Sequence, residues 1–458
     1  MTSGALATYY AMPVWAQNLM LSAYGLRLRF LRYGHQNSRL LEELLESQSL
    51  SAEQLRELQL AKLNALLRHA AASVPYYRAR GLPASVTRLE DLHQLPLVTK
   101  ADVRRGGRAF VAETFPSRSL VQIHTGGTTG TPLAIHCNRA TLQRNYAFFA
   151  RLRHWARVPP GARVAVFAGR TFIRPDQSKP PYWRRNLAAN ALMMSSYFLS
   201  PQTVGGYIER LRAFRPVMID AYPSSVEFVA RWILKRGLRD IRPTAVITSS
   251  ETLLPAAREV VQQAFGCPVF DYYGGGEMGA FISQCEAGSY HVNPEFGIVE
   301  VLKDDGRPAA AGESGQIVAT GFINPVMPLI RYATGDGAIQ GGASCTCGRA
   351  FPALERIEGR LDDVLVTPEG RRIGRLDPIF KSVSSIQEAR IVQDGRDHVR
   401  LEVVPDAGFT AGEQAILLQE LARRLGPSMR IDVARVTAIP RAPSGKLRMV
   451  VREVSVAD

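Results

Sequence analysis

Five segments of this 458-residue chain gather glycine, hydroxyl and charged side chains in patterns suited to phosphate chemistry. The first is Thr125-Gly-Gly-Thr-Thr-Gly-Thr-Pro132. Gly126, Gly127 and Gly130 let the backbone turn tightly, so that N–H groups converge on one anion. The hydroxyls of Thr125, Thr128, Thr129 and Thr131 add donors. It is not the P-loop of NTPases, which continues into Gly-Lys-Ser/Thr. The second segment, Asp271-Tyr-Tyr-Gly-Gly-Gly-Glu277, sets Tyr273 and Gly274 ahead of a carboxylate that suits a metal ion. In the third, Arg331-Tyr-Ala-Thr-Gly-Asp336, a carboxylate after a glycine turn can accept two ribose hydroxyls. The fourth is the charged run Arg356-Ile-Glu-Gly-Arg-Leu-Asp-Asp363. In the fifth, Pro440-Arg-Ala-Pro-Ser-Gly-Lys446, proline and glycine bend a loop that ends on a lysine. Taken singly, these read as a surface loop, two turns, a linker and a solvated lysine.

Cys285, His291, Cys345 and Cys347 offer four ligands, enough for tetrahedral zinc. Their spacings, Cys-x5-His and Cys-x-Cys, match no zinc-finger pattern. Buried thiols with an incidental histidine are the plainer alternative. Cys137 and Cys267 read as core residues, and five cysteines are too few for a disulfide scaffold.

The elements that must position these segments form an α/β pattern. From about residue 119, short β-branched or aromatic runs such as Val164-Ala-Val-Phe, Val217-Met-Ile-Asp, Ala245-Val-Ile-Thr and Val269-Phe-Asp-Tyr alternate with helical stretches at 224–236 and 255–265. That predicts mostly parallel sheets covered by helices. Residues 297–340, broken by Gly, Asp and Asn turns, predict a small antiparallel or barrel-like part. Leucines at helical spacing make residues 38–80 helical, closing at Ser73-Val-Pro-Tyr-Tyr. Residues 387–393 and 398–404 alternate like paired strands, and Thr410 with Glu413 opens a helix at about 411–425. The expected organisation is a large N-terminal domain, 1–359, with 1–118 a mostly helical lead-in. A hinge at 360–363 and a small mobile α+β C-terminal domain, 364–458, follow.

A hydrophobic content of 46% and a charged content of 21% are those of a soluble globular protein. The formal charge of +15 comes from arginines spread along the chain, without a dense basic block. No nucleic-acid partner is expected, and phosphate-bearing substrates fit the charge equally well. The apolar stretch 12–25 is interrupted by Gln17 and Asn18 and followed by Arg27, Arg29 and Arg32. It is too short and broken to span a bilayer, so a cytoplasmic location is expected. Peripheral contact of residues 12–32 with a membrane surface stays open, as do monomer and homodimer.

The five motifs, in this order and separation, resemble the adenylate-forming superfamily: acyl-CoA synthetases, peptide-synthetase adenylation domains and luciferases. The likeness runs from about residue 120 to 452. Within the superfamily the chain is similar to the phenylacetate–CoA ligase-like branch, with CapK and coenzyme F390 synthetase-type proteins. Supporting stretches are Leu95-Pro-Leu-Val-Thr-Lys100, Asn293-Pro-Glu-Phe-Gly-Ile-Val-Glu300 and Cys345-Thr-Cys-Gly-Arg349, and, toward the N-terminus, Pro13-Val-Trp-Ala-Gln-Asn and Val74-Pro-Tyr-Tyr-Arg78. The resemblance implies ATP and Mg2+, a small-molecule carboxylic acid, and CoA as co-substrate. It implies that 125–131 holds the triphosphate, Glu277 holds Mg2+, Asp336 and Arg360 hold the ribose, and Tyr273 packs near adenine. Lys446 would be the catalytic lysine and Asp362 the hinge. An amine, hydroxyl or carrier thiol as acceptor, transfer of AMP itself to a hydroxyl, and nucleotide binding without turnover are the alternatives. Some members of this branch carry Cys/His sets that bind zinc. One departure stands out: Gly275 and Gly276 precede Glu277 where the family has Ser or Thr, which changes the contacts available to phosphate or acyl carboxylate. Phe167, Tyr222, Gly275 and Gly276 are expected around the acyl pocket.

Overall fold

The computed structural model describes residues 3–124, 133–168, 172–174, 177–342, 345–360, 365–368, 372–373, 379, 383, 385–426, 428–441 and 447–453. The lead-in consists of helices α1 (Ser3–Ala11), α2 (Val14–Arg32), α3 (His35–Ser47), α4 (Ala52–Ser73), α5 (Pro75–Arg78) and α6 (Lys100–Gly106). Ser51 and Gln54 cap α4 reciprocally, and the helix buries Leu55, Leu63, Leu66 and Leu67. It stops at Ser73, and Pro75 then opens the single turn of α5, because a proline is tolerated at the first helical position.

A hairpin of β1 (Val121–His124) and β2 (Ala134–Cys137) brackets the Gly/Thr loop, and α7 (Arg139–Trp155) follows. The central strands are β3 (Val164–Ala168), β4 (Trp183–Asn186), β5 (Ala191–Ser195), β6 (Met218–Ala221), β7 (Ala245–Ser249) and β8 (Val269–Gly274). They alternate with α8 (Val204–Phe214), α9 (Pro223–Lys235) and α10 (Pro255–Phe265). All but the antiparallel edge strand β4 run parallel. Val226, Val229, Ala230 and Ile233 of α9 and Val261 of α10 close over Ile219, Val246 and Val269 of the sheet. Burial of such apolar faces is the main stabilising term.

The chain then turns antiparallel through β9 (Phe281–Gln284), β10 (Tyr290–Val292), β11 (Gly297–Leu302), β12 (Ser314–Gly321), β13 (Tyr332–Gln340) and β14 (Ala353–Arg360). These strands form the antiparallel part that the sequence predicts, and they are continuous with the central sheet. Because β9 pairs with β8, they extend the central sheet to twelve strands, in the order β11-β12-β13-β14-β10-β9-β8-β7-β6-β3-β5-β4. A buried ion pair ties lead-in, α7 and sheet together. Arg151 donates to both carboxylate oxygens of Glu295 at 2.8 and 2.9 Å, to the Leu44 carbonyl at 3.0 Å and to Asn293.

After the short pair β15 (Leu365–Val366) and β16 (Arg372–Ile373) comes a four-stranded sheet. It holds β17 (Ile386–Gln393), β18 (His398–Pro405), β19 (Arg430–Arg435) and β20 (Val450–Arg452), ordered β19-β18-β17-β20. Helix α11 (Ala411–Leu425) covers it with Leu417, Leu421 and Leu425. The Thr410–Glu413 capping box opens α11 where the sequence placed it.

Candidate active site

Parallel strands β6, β7 and β8 end side by side at Ala221, Ser249 and Gly274. Ligands of open α/β sheets bind beyond such carboxyl ends. Three sequence-predicted segments meet here. Past β8, the Met278 N–H donates to the Gly275 carbonyl at 3.1 Å, which closes a tight turn around Glu277. Met278 itself takes φ +55°, in the left-handed region that non-glycine residues rarely visit. A Cβ on Gly275 would run into the Glu277 carboxylate. At Gly275 the Glu277 carboxylate occupies the space that a side chain would take.

The third motif arrives from β13. Gly335 takes φ +77°, and the register between β12 and β13 shifts at Gln316/Val318. The kink is a bulge, pinned where the Thr334 hydroxyl donates to the Ile317 carbonyl at 2.9 Å and accepts the Asp336 N–H at 3.1 Å. It turns Asp336 toward Tyr273, whose hydroxyl donates to Oδ2 at 2.7 Å. Burial, with the adjoining Asp336 charge, pushes the Tyr273 phenol well up, so it keeps the proton it donates. Arg360 enters through its backbone, opposite Asp336 in the β13–β14 register. Behind the site, Asp271 accepts from Thr248 at 2.6 Å and Tyr290 at 2.7 Å, and burial pushes its carboxyl up to about 6.

The loop 125–131, the hinge residue Asp362 and Lys446 lie outside the described residues. The neighbours of Lys446 are informative. The N–H of Leu447 donates to Glu251 Oε1 at 2.7 Å, and the N–H of Ser224 donates to Oε2 of the same carboxylate at 3.0 Å. Arg441 donates to Ser224 Oγ at 3.1 Å and to Glu388. Glu251 thus joins the start of α9, the end of β7 and the C-terminal chain. Burial pushes the Glu251 carboxyl up, against the two N–H donors that hold it down. Sequence reading passed over Glu251 and Ser224, and gave Arg441 no role beyond its place in the fifth segment. The available signal was a carboxylate two residues beyond a strand of the parallel set. Of the expected acyl-pocket residues, Tyr222 caps α9 on the same edge. Phe167, on β3, is buried in the core with its ring stacked on that of Tyr207.

The ligand atoms of Cys285, His291, Cys345 and Cys347 all lie within 4.8 Å of one another. Sγ of Cys285 and Cys345 are 3.7 Å apart, close to the edge of about 3.8 Å that Zn–S bonds of about 2.3 Å give a tetrahedron. Cys347 Sγ and His291 Nε2 are 3.3 Å apart, while His291 Nδ1 faces the Phe351 carbonyl at 3.3 Å. That outer contact fixes the ring with Nε2 toward the sulfurs. Tight turns aim the cysteines: the Gly288 N–H on the Cys285 carbonyl, and the Gly348 N–H on the Cys345 carbonyl. The donor set fits zinc. It lies at the end of β9 opposite the Glu277 turn, so an ion here would fasten the β9–β10 hairpin to the approach to β14 rather than hold that turn.

Residues 365–453 match the family model of the CapK C-terminal domain. The chain is 25% identical to Protein CapK of Staphylococcus aureus, covering 97% of this chain and 99% of that one. It is 26% identical to a phenylacetate-coenzyme A ligase of Thermus thermophilus, covering 88% and 98%. In structure it aligns with a 2-hydroxyisobutyryl-CoA ligase in its postadenylation state at a TM-score of 0.73, with 22% identity over 89% of this chain and 92% of that one. Against the thioesterification state of the same ligase the score is 0.56. The fold is that of the adenylate-forming ligases. Residues 365–453 form a CapK-type C-terminal domain, and along nearly its whole length the chain is similar to CapK and to phenylacetate–CoA ligases.

Proposed function

We propose that this protein activates a carboxylic acid as its acyl-adenylate at the expense of ATP and passes the acyl group to CoA. One observation carries most of the support. The residue after Lys446 is held by Glu251 on the sheet edge that also presents Glu277 and the Tyr273–Asp336 pair. In the first step an oxygen of the acid's carboxylate bonds to the α-phosphorus, the bond from phosphorus to the bridging oxygen breaks, and pyrophosphate leaves. Charge builds on phosphate oxygens, so positioning and cations matter and no protein nucleophile is required. The loop 125–131 would hold the triphosphate and Glu277 a screening Mg2+. Asp336 and Arg360 would hold the ribose, with Tyr273 near adenine. Lys446 would bridge acid and phosphate as a compact point charge.

In the second step the CoA sulfur attacks the acyl carbon. The acyl–oxygen bond breaks, AMP leaves with its electron pair, and the thiol proton goes to solvent. Asp362, in the hinge 360–363 between domains 1–359 and 364–458, would let the C-terminal domain withdraw Lys446 between steps. The higher score against a postadenylation state accords with a C-terminal domain docked for the first step. The acid would enter beside Tyr222 and the open backbone of Gly275 and Gly276. Zinc at the Cys/His set would be structural, and one equivalent in protein purified without added metal is the expected analysis.

The test is a panel of carboxylic acids with hydroxylamine trapping, repeated with CoA, amines and hydroxyl acceptors in separate arms. One acid class should give hydroxamate, and the CoA arm should yield thioester. Lys446→Ala should lower ATP–pyrophosphate exchange by about 100-fold or more yet spare thioester formation from supplied acyl-AMP. Full exchange in that variant would overturn the assignment, and no exchange with any acid would leave nucleotide binding without turnover.

A further inference from the structure

Helix α2 is built inside out. Its inner side meets edge strand β4 mainly through polar and small residues, with Leu21 packed on a small apolar cluster. Asn18 Oδ1 accepts the Arg185 N–H at 2.8 Å, Ser22 Oγ accepts the Leu187 N–H at 2.9 Å, and Gln17 accepts from Arg184 at 2.5 Å. A Cβ on Gly25 would collide with the Asn186 side chain. These contacts cover a strand edge that would otherwise offer unpaired backbone groups. The opposite side carries Trp15, Leu19, Leu26 and Phe30, which are 67%, 55%, 46% and 63% exposed. Their spacing of i, i+4, i+11 and i+15 puts them on one stripe. An ordinary surface helix points its apolar stripe at the core and its polar face at water. Here an apolar stripe faces water along a helix of 19 residues, about 28 Å, while Leu21 packs toward the Phe172, Ile173, Ala191 and Met193 cluster.

The borders of the stripe are cationic. Arg27 and Arg29 are exposed on either side of it, and Arg27 and Arg139 line a hollow with Leu26 and Phe30. Residues 1–41 contain no Asp or Glu. We propose that this face docks on an anionic phospholipid surface, with the Trp15–Phe30 stripe in the headgroup–acyl boundary and the arginines on lipid phosphates. Indole and phenyl rings suit that boundary, and guanidinium groups pair with phosphate in two-point hydrogen bonds. No described helix is long and apolar enough to cross a membrane, so the contact is peripheral. A second copy of the chain is a poorer occupant: a two-fold pairing of α2 would oppose arginine-bordered faces that hold no acid between them.

The experiment is co-sedimentation of the full chain with vesicles of phosphatidylcholine alone and with phosphatidylglycerol added, alongside sedimentation velocity without lipid. The protein should pellet with the anionic vesicles, roughly ten-fold or more tighter than with the neutral ones. Trp15→Ser with Phe30→Ser, and separately Arg27→Gln with Arg29→Gln, should each weaken that binding about ten-fold without shifting thermal unfolding or acid-dependent ATP–pyrophosphate exchange. Failure to pellet, or pelleting that both folded double variants retain, overturns the proposal. Self-association that Trp15→Ser with Phe30→Ser abolishes, with no vesicle binding, assigns the face to a second copy instead.

Discussion

Arg151 and Arg441 each reach a carboxylate far away in sequence, in opposite settings. Arg151 is fully enclosed with Glu295 inside the large domain, ringed by Phe148, Trp155 and Phe351 at 5.1–5.4 Å. Burial alone would raise the Glu295 carboxyl. The Arg151 charge and hydrogen bonds outweigh it and hold the carboxyl below its ordinary value. Arg441 sits among Glu388, Ser224 and Glu251 where the C-terminal chain meets the ends of β6 and β7. There burial wins, and both Glu388 and Glu251 are pushed up. One cluster is closed within a domain and over-determined. The other joins two domains and keeps carboxyls that are easier to protonate. The first suits permanence and the second a contact that must be made and released.

Breaking each cluster should separate these roles. Arg151→Met should have the largest effect on folding, a loss of about 3–5 kcal/mol in urea unfolding, because it strands a buried carboxylate. Adding Glu295→Leu should recover much of that. A cost under about 1 kcal/mol would mean that the pair is solvated and the contrast mistaken. Glu251→Ala leaves the N–H groups of Leu447 and Ser224 without their acceptor. It should lower ATP–pyrophosphate exchange by about ten-fold to 100-fold, with thermal unfolding almost unchanged. Loss of stability without loss of exchange would move Glu251 into the first category.

The pH dependences should run in opposite directions. Glu295, depressed when folded, adds stability that is complete above the ordinary glutamate value of 4.5 and fades as pH falls below it. Glu251 and Glu388, raised when docked, favour docking below 4.5 and lose that contribution as pH climbs through their raised values. A distance probe between the domains, read from pH 4.5 upward, should report progressive undocking. A flat profile would show that these carboxyls do not govern the contact. Smallest of all, Lys235→Ala removes an exposed interdomain pair with Asp406 and should change docking by less than about 1 kcal/mol.

Local signals carried the sequence reading where the structure is local. The parallel strands, the α9 and α10 segments and the Thr410 cap follow from residues within one turn or one strand of each other. The Tyr273–Asp336 pair was legible as two motifs, though not as a hydrogen bond, because 63 residues separate them. Arg151 and Glu295 are 144 residues apart and carry no periodic or turn signal. Residues 297–340 showed short strands between turns but not their neighbours, so their continuity with the central sheet was invisible. For α2 the sequence showed an apolar stretch and its flanking arginines. Periodicity defines a stripe and is silent on whether core or water lies against it.

The rung that pairs Asp336 with Arg360 makes β14 a ruler. The β13–β14 ladder already takes up extra β14 residues at Gly337/Ala338 and at Ile339/Gln340, so the rungs beyond those irregularities set the span from Asp336 to the hinge proposed at 360–363. Insertions between the Cys347 turn and Pro352 can be absorbed by irregular backbone. One residue added between Gly359 and Arg360, beyond those irregularities, should shift the partner of Asp336 by one rung. Chimeras that exchange C-terminal domains within this branch should therefore join after Arg360, with the count from Ala353 preserved.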